Sequence, residues 1–179
     1  PATATVQAAY YFGGAVKNAD LRWTVYSGPY TFVYEGDWSF NDFQPSAESQ
    51  PPVPSMRQPI ASGVGQTDES GQFSLDVPTD LAAEPGQVPG GSETRVVEFA
   101  ITDISDQEVA GTTSLVVHAA SVYAGVKPDS YVGQTGRAQT ARFIAVDALS
   151  REPKPGQDIA AAVYLVTWRT VRERDQAGV

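Results

Sequence analysis

Apolar residues recur at every second position in several short stretches of this chain. Three of these stretches are Leu21, Trp23 and Val25; Phe73, Leu75 and Val77; and Val97, Phe99 and Ile101. Successive side chains of a β-strand point to opposite faces of the sheet, so a period of two predicts a strand with one buried face. The pattern therefore indicates a β protein with an apolar core between layers.

Turn-forming residues lie between the predicted strands. Asp68 to Gly71 separates a strand at Gly63 to Thr67 from one at Gln72 to Val77, and Asp and Gly are the residues that tight turns favour. Asp103 to Asp106 forms a similar hairpin turn, between strands at Arg95 to Thr102 and Val109 to Val117. Further strands are predicted at Thr5 to Phe12 and Asp20 to Tyr26, and Tyr30, Phe32 and Tyr34 repeat the alternation. Roughly seven strands therefore precede residue 118, which is the spacing of a sandwich.

The remaining residues predict the start of a second unit. Strands are expected at Val122 to Val126, Ala138 to Val146 and, as a long apolar run, Asp158 to Thr170. A sandwich needs about seven strands, so three make an incomplete one. The predicted fold is all-β, an antiparallel immunoglobulin-like sandwich with one complete module at 1–118 and a truncated second module at 119–179. We expect the chain to be an excised piece of a longer protein, its second module ordered only when paired with the first or with another copy.

The composition of the chain excludes several classes of function. The formal net charge is −9, and an acidic chain repels nucleic-acid phosphates and anionic lipid head groups. The longest apolar run, Ile159 to Val166, is too short to cross a bilayer. There is no cysteine, which excludes a disulfide, a thiolate metal site or a cysteine-derived thioester within the chain. We predict no nucleic-acid partner and no membrane insertion.

Residues that could carry chemistry are few and scattered. His118 is the only histidine, no Gly-x-Ser-x-Gly motif accompanies it, and we interpret it as a linker or interface residue. Asp37 and Asp42 flank an aromatic stretch, but their spacing in a loop does not fix a carboxylate pair. Asp103 and Asp106 lack the spacing of a calcium loop and are explained by the turn. We predict no catalytic residue, no cofactor and no metal site.

Trp38, Phe40 and Phe43 are an unusual group because they stand in a predicted loop. If exposed, they are candidates for binding a sugar or a partner protein. If they fold back over the edge of the sandwich, they are part of the core. We favour packing, since an aromatic residue beside a strand usually packs, and keep the three residues as the candidate interaction surface.

Four stretches, taken in order, resemble the macroglobulin modules of bacterial α2-macroglobulins. They are YYFGGAVKNADLRWTVYS (residues 10–27), YEGDWSFNDF (34–43), GQTDESGQFSLDVP (65–78) and EFAITDISDQEVAGTTSLVVHAASVYAGVKPDSYVGQTG (98–136). Each motif alone is weak, and their order and spacing carry the resemblance. Ala15 stands where the family often has Pro.

The resemblance implies one complete macroglobulin domain followed by the beginning of another. Proteins of this family offer a protease a bait segment and entrap the enzyme when that segment is cleaved. No bait segment and no catalytic residue carry over to this chain. The resemblance therefore implies a non-enzymatic scaffold segment of an endopeptidase inhibitor outside the cytoplasm, periplasmic, secreted or on the cell surface. Its partners would be neighbouring macroglobulin domains, with target proteases reached through the full-length protein.

Two other classes of function fit the same pattern. An immunoglobulin-like stalk or adhesin module of a bacterial surface protein would share the fold, because fold alone does not define function. A carbohydrate-binding module would use Trp38, Phe40 and Phe43. An enzyme fits least well, since no convergent set of polar residues is evident.

Overall fold

The computed structural model describes residues 2–40, 57–81, 91–167 and 169–170. The described residues contain strands and no helix, and every strand pair is antiparallel. In chain order the strands are β1 (Ala2–Gln7), β2 (Asp20–Pro29), β3 (Gln58–Gln66), β4 (Gln72–Val77), β5 (Glu93–Thr102), β6 (Glu108–Val117), β7 (Val122–Pro128) and β8 (Ala141–Asp147). The prediction of an all-β antiparallel sandwich is confirmed.

The larger layer is a four-stranded sheet in the order β3-β2-β5-β6. β2 lies at its centre and pairs with β5 over its whole length, from Asp20 opposite Thr102 to Pro29 opposite Glu93. The alternation predicted for β2 is present: Leu21 and Val25 are buried while Arg22, between them, is exposed. The period-two pattern therefore identified the buried face of this strand.

The second layer is the pair β1-β4, which covers the inner face of the larger sheet. Between the layers lie two clusters of buried apolar residues, and Trp23 packs against both. The first cluster comprises Val6, Val16, Ala19, Leu21 and Ile101, and the second Val25, Val77 and Val97. Fully burying a Val or Leu side chain contributes about 1.5–3 kcal/mol, so these clusters are the main source of stability for the sandwich.

The turns form where the sequence places Asp and Gly. Asp68 Oδ1 accepts hydrogen bonds from the backbone N–H groups of Ser70 and Gln72, both at 2.8 Å, and Gly71 adopts a φ of 77°. Asp103 Oδ1 accepts in the same way from Ser105 and Gln107. Both predicted turns are present, and each carboxylate serves as an acceptor for backbone donors that the turn leaves free. The turn at Asp103 to Asp106 joins the paired strands β5 and β6, whereas the turn at Asp68 to Gly71 connects β3 and β4, which belong to different sheets.

β7 and β8 form a separate two-stranded sheet, with Val122 opposite Asp147 and Pro128 opposite Ala141.

Several predicted features differ from the structure. The first strand, predicted at Thr5 to Phe12, is Ala2–Gln7, because the chain turns back after it and forms the bridge between Ala9 and Ala15. The described residues before 118 contain six strands where about seven were predicted. Residues 30–34 continue the alternation of β2 but form no strand, and residues 158–167, predicted to be a strand, have no regular secondary structure and are exposed. A strand requires a neighbour for its backbone hydrogen bonds, and no described strand lies beside residues 158–167. The division of the chain at residue 118 stays a prediction.

Within the part of the chain that the structure describes, no helix is long and apolar enough to cross a membrane.

Candidate functional site

The candidate site is the junction between the sandwich and the β7-β8 hairpin, where aromatic side chains from both parts meet. We call it the aromatic junction. Its members come from the segment that follows β2, from the end of β6 and from β7: Tyr30, Phe32, Tyr34, Phe40, His118 and Tyr123. Within the described ranges no pair of strands joins the two parts by a continuous ladder, so these side chains carry much of the contact seen there.

Phe32 is the centre of the aromatic junction and is only 6% exposed. Its ring stacks on Tyr123 of β7, with 4.2 Å between ring centroids and 19° between ring planes. Phe40 meets Phe32 edge-on at 4.9 Å. Aromatic pairs in these geometries contribute about 0.5–1.5 kcal/mol beyond the area that they bury. Phe32 therefore fixes the hairpin against the segment that follows β2.

The backbone of this segment also pairs with β7. The N–H groups of Ser39 and Val126 each donate to the carbonyl oxygen of the other residue, both at 2.9 Å. This bridge places Phe40 over Gly125, which is buried, and a Cβ atom at Gly125 would lie 2.6 Å from the Phe40 ring. A glycine within a strand often marks such a close approach. Gly125, at the centre of the sequence VYAGVKP, is therefore the residue from which this close approach could have been predicted.

A chain of hydrogen bonds lies beside the rings. The Tyr123 hydroxyl contacts His118 Nδ1 at 2.8 Å and also the Ser92 hydroxyl. The N–H of Ala119 donates to Ser92 Oγ at 3.0 Å. All donors and acceptors are matched when Ser92 donates to Tyr123 and Tyr123 donates to a neutral His118 that accepts at Nδ1. His118 therefore lies at the interface between the two parts, in agreement with its interpretation as an interface residue.

Arg151 connects the loop after β8 to the same aromatic segment. Its guanidinium lies 5.6 Å from the centre of the Phe32 ring and donates a hydrogen bond to the carbonyl oxygen of Val33. A cation over an aromatic face contributes about 0.5–1 kcal/mol at an exposed site. The lysine–carboxylate contact between Lys127 and Asp37, at 3.4 Å, adds little because Asp37 is largely exposed.

The predicted interaction residues occupy different positions. Phe40 is half-buried in the aromatic junction, and Trp38 is half-buried one residue before the Ser39 bridge. Phe43 and Asp42 lie outside the described residues. The binding role assigned to Trp38, Phe40 and Phe43 stays a prediction, and what the structure adds is that Phe40 contacts the protein's own Phe32 and Gly125.

Sequence reasoning missed a second polar site at the end of the sandwich. Arg95 is 2% exposed, and its guanidinium donates to the carbonyl oxygens of Pro78 at 3.1 Å and Asp80 at 3.0 Å. It also donates to Ser27 Oγ at 2.5 Å and to the carboxylate of Glu93. Arg95 therefore ties the segment after β4 to the central strands. The sequence contained a sign of this role. Arg95 lies two positions before Val97 and four before Phe99, so its side chain is on the same face of β5 as theirs.

The carboxylate of Glu93 is held in its charged form. Burial on its own raises the pKa of Glu93, but a hydrogen bond from Ser27 and the hydrogen bond and charge of Arg95 outweigh it, and the pKa is lowered. The Ser27 hydroxyl donates to Glu93 at 2.6 Å. These contacts satisfy the groups within the protein and are typical of a structural network.

The described residues contain no group of three or more His, Asp or Glu side chains arranged to hold a metal ion. A depression on the outer face of the four-stranded sheet is shallow and open to solvent, and Arg22 pairs with Glu108 across it at 2.5 Å. The site that the structure defines is thus one of packing and hydrogen bonding between two parts of the chain.

Comparison of the sequence with protein-family models and with curated proteins gave no match. Among solved structures, the chain is similar to E. coli alpha-2-macroglobulin in its native conformation, with a TM-score of 0.50 and 10% sequence identity. The similarity covers 81% of this chain and 9% of that one. At this identity the likeness concerns the fold: the chain is an antiparallel β-sandwich protein that resembles macroglobulin domains. The aligned part is longer than residues 1–118, so it includes residues after 118.

Proposed function

We propose that this chain is a scaffold segment of a bacterial α2-macroglobulin-like endopeptidase inhibitor, without catalytic activity of its own. The observation that carries the proposal is the similarity to E. coli alpha-2-macroglobulin over 81% of the chain, which reaches beyond the first sandwich. A scaffold must keep consecutive units in a fixed relation, and the likeness includes residues on both sides of 118.

The aromatic junction supports this role physically. Phe32 is buried between the hairpin and the sandwich, and its contacts with Tyr123 and Phe40 are specific in distance and angle. Close-packed side chains transmit a displacement because they resist compression. A movement of one unit is then passed to the next, as a protein that closes around a protease requires.

The proposed parent protein works outside the cytoplasm, in the periplasm, at the cell surface or as a secreted protein. The partners of this segment are the neighbouring macroglobulin domains, and proteases are engaged by the whole protein. The chain has no cysteine and supplies no thioester.

The proposal is tested with the complete protein that the gene encodes and with the 179-residue chain on its own. Each is incubated with an endopeptidase, and the remaining activity is measured on a large protein substrate and on a small chromogenic peptide. An enclosing trap blocks the large substrate sterically and leaves the active site open to the small one. We expect this selective protection from the complete protein and no protection from the chain alone. Absence of protection by the complete protein, or inhibition by the chain alone, overturns the proposal.

A junction variant tests the scaffold role within the complete protein. Phe32→Ala removes the central ring of the aromatic junction and is expected to weaken protection of the large substrate. Phe12→Ala is the matched control, because Phe12 is 86% exposed and lies far from the aromatic junction in the chain. Equal protection by Phe32→Ala and the control would show that the junction does not transmit the movement.

A further inference from the structure

Arg151 has a backbone conformation that is unusual for its side chain. In the described part of the chain three residues other than glycine adopt a positive φ, and Arg151, at 61°, accompanies Asn18 and Asp106. Asn and Asp enter the left-handed region more readily than other residues, whereas for a long side chain it is uncommon and costs conformational energy. Such strain is often found where a residue has a role that outweighs the cost.

The loop between β1 and β2 contains a turn of the same kind. Ala9 and Ala15 form an isolated bridge, and inside it the N–H of Tyr10 donates to the carbonyl oxygen of Gly14 at 3.0 Å. The last residue inside this turn is Gly13, with a φ of 89°. A Cβ atom at Gly13 would meet nothing within 4 Å beyond its chain neighbours. The backbone conformation alone therefore explains the glycine.

The loop after β8 is built in the same way, with one residue more in the turn. An isolated bridge again encloses the turn, and inside it the N–H of Asp147 donates to the carbonyl oxygen of Glu152 at 2.9 Å. The last residue inside this turn is Arg151, which therefore occupies the position of Gly13. Because the conformation at this position favours glycine, the turn does not explain the arginine.

The side chain of Arg151 reaches the other part of the structure. Its guanidinium lies 5.6 Å from the centre of the Phe32 ring and donates a hydrogen bond to the carbonyl oxygen of Val33. None of the salt bridges in the described ranges includes Arg151, although the chain has 21 acidic residues. A guanidinium suits both contacts, because its flat face covers a ring while its N–H groups point outward in the same plane.

We propose that Arg151 is a positioning residue, which holds the β7-β8 hairpin in one orientation against the sandwich through Phe32 and Val33. The strain at Arg151 is confined to its turn, whereas the stabilisation falls on the contact between the two parts. Replacement by glycine is therefore expected to relax the turn and to loosen the contact. A residue that only stabilised its own turn would not affect the contact selectively. Because all these groups belong to one chain, the role does not depend on the function of the parent protein.

Amide hydrogen exchange of the whole 179-residue chain measures the two places separately. The N–H of Asp147 reports on the turn, and the N–H groups of Ser39 and Val126, each bonded to the carbonyl oxygen of the other residue, report on the contact. In Arg151→Gly we expect exchange at Ser39 and Val126 to become about fivefold faster or more, because a cation–π contact and a hydrogen bond are lost. Exchange at Asp147 is expected to stay the same or to slow down.

Two further variants separate the backbone from the side chain. Asp106→Gly is the matched control, because Asp106 is an exposed residue with a φ of 57° in the turn between β5 and β6. It is expected to leave exchange at Ser39 and Val126 unchanged. Arg151→Met keeps a left-handed residue and most of the side-chain length but removes the charge, and is expected to accelerate exchange at Ser39 and Val126 as glycine does. Unchanged exchange in β2 and β5 shows that the sandwich of each variant remains folded.

The proton resonances of the Arg151 side chain test the contact itself. A group above an aromatic face is shielded by the ring current, so the Cδ protons of Arg151 are expected upfield of those of Arg137, which is exposed in a loop. Phe32→Leu removes the ring and is expected to abolish this difference.

Unchanged exchange at Ser39 and Val126 in either Arg151 variant overturns the proposal. So does an equal acceleration at Asp147 in Arg151→Gly, since the arginine would then stabilise its own turn. Acceleration at Ser39 and Val126 in the Asp106→Gly control, or an upfield shift of Arg151 that persists in Phe32→Leu, contradicts it as well.

Discussion

At the scale of single residues, Arg95 and Glu93 form a charged pair at the end of the sandwich. The Arg95 side chain is 2% exposed and that of Glu93 22%, and both are hydrogen-bonded to Ser27 as well as to each other. Breaking a buried pair by removing one partner leaves the other charge uncompensated and costs about 3–5 kcal/mol. An exposed pair such as Arg22 with Glu108 contributes about 0–1 kcal/mol.

The Arg95 prediction follows from this contrast. Arg95→Met is expected to lower the free energy of unfolding by about 3–5 kcal/mol, because it removes the charge partner of Glu93 and the donor to two backbone carbonyl oxygens. Arg22→Met, the control, is expected to change it by less than about 1 kcal/mol. Urea denaturation measures the free energy of unfolding of both variants. Equal losses in the two variants would contradict the prediction that the buried pair contributes more than the exposed one.

The pH dependence of stability is predicted from the lowered pKa of Glu93. A carboxyl group whose pKa is lower in the folded state stabilises the protein above its unfolded pKa, and this contribution is lost as the pH falls through the folded value. Glu93→Gln is therefore expected to flatten the acid side of the stability curve below the ordinary value of 4.5. Melting temperatures are compared across pH with Glu98→Gln, an exposed residue of the same strand, as the control. Parallel curves for wild type and Glu93→Gln would contradict the prediction.

The hydroxyl of Tyr123 gives a second prediction at the residue scale. Tyr123→Phe keeps the ring that stacks on Phe32 but removes the hydrogen bonds to His118 and Ser92. We expect a loss of about 1–3 kcal/mol in the free energy of unfolding, because partly buried polar groups are left without partners. Tyr131→Phe is the control, since Tyr131 is 85% exposed. A loss no larger than in the control would show that water replaces the hydroxyl.

Single-residue roles were the hardest to predict from sequence. The turn aspartates Asp68 and Asp103 were evident because their partners lie within a few residues along the chain. Arg95 was not, because its carbonyl partners at Pro78 and Asp80 come from a different segment. A sequence pattern reveals hydrogen bonds between residues that are close along the chain. A charged residue on a buried face is interpreted as exposed unless its partners from distant segments are known.

At the scale of elements, the sheets place aromatic rings over glycines on neighbouring strands. Trp23 lies opposite Gly63 and Phe99 opposite Gly111, and a Cβ atom at either glycine would lie within 2.6 Å of the ring. Phe40 over Gly125 repeats the arrangement at the aromatic junction. A ring that covers a strand glycine restores the packing that the missing side chain would have provided.

Gly125→Ala tests this arrangement. The new methyl group would meet the Phe40 ring, and we expect a loss of about 1–3 kcal/mol through overpacking. In a Phe40→Ala background the same substitution is expected to cost less, so a double-mutant cycle isolates the contact. Gly91→Ala is the control, because nothing lies within 4 Å of its Cβ position. Additive effects of Gly125→Ala and Phe40→Ala would contradict the contact.

Elements were predicted well wherever the strand and its partner are both local. β5 and β6, predicted at Arg95 to Thr102 and Val109 to Val117, begin within two residues of the predicted positions and end at the predicted residues, and the two strands pair with each other across a single turn. Residues 158–167 have the apolar character of a strand, yet form none, because strand formation depends on a hydrogen-bonding neighbour as well as on side-chain pattern. The sequence therefore predicts which residues can form a strand, and the presence of a neighbouring strand decides whether they do.

At the scale of the whole molecule, the two parts of the described structure are stabilised in different ways. The sandwich has a continuous core between two layers. The β7-β8 hairpin is a two-stranded sheet, which is marginal on its own. Its stability therefore depends on contacts made through the aromatic junction, above all on Phe32.

This dependence predicts uneven effects of Phe32→Ala on the two parts. Replacing a buried Phe by Ala typically costs about 3–5 kcal/mol, and here the loss falls on the contacts between hairpin and sandwich. Amide hydrogen exchange is expected to accelerate in β7 and β8 while β2 and β5, which pair over their whole length, keep their protection. Phe12→Ala, at an exposed ring, is expected to leave both parts unchanged. If Phe32→Ala instead accelerates exchange in all strands together, the two parts unfold as one unit and the hairpin does not depend selectively on the junction.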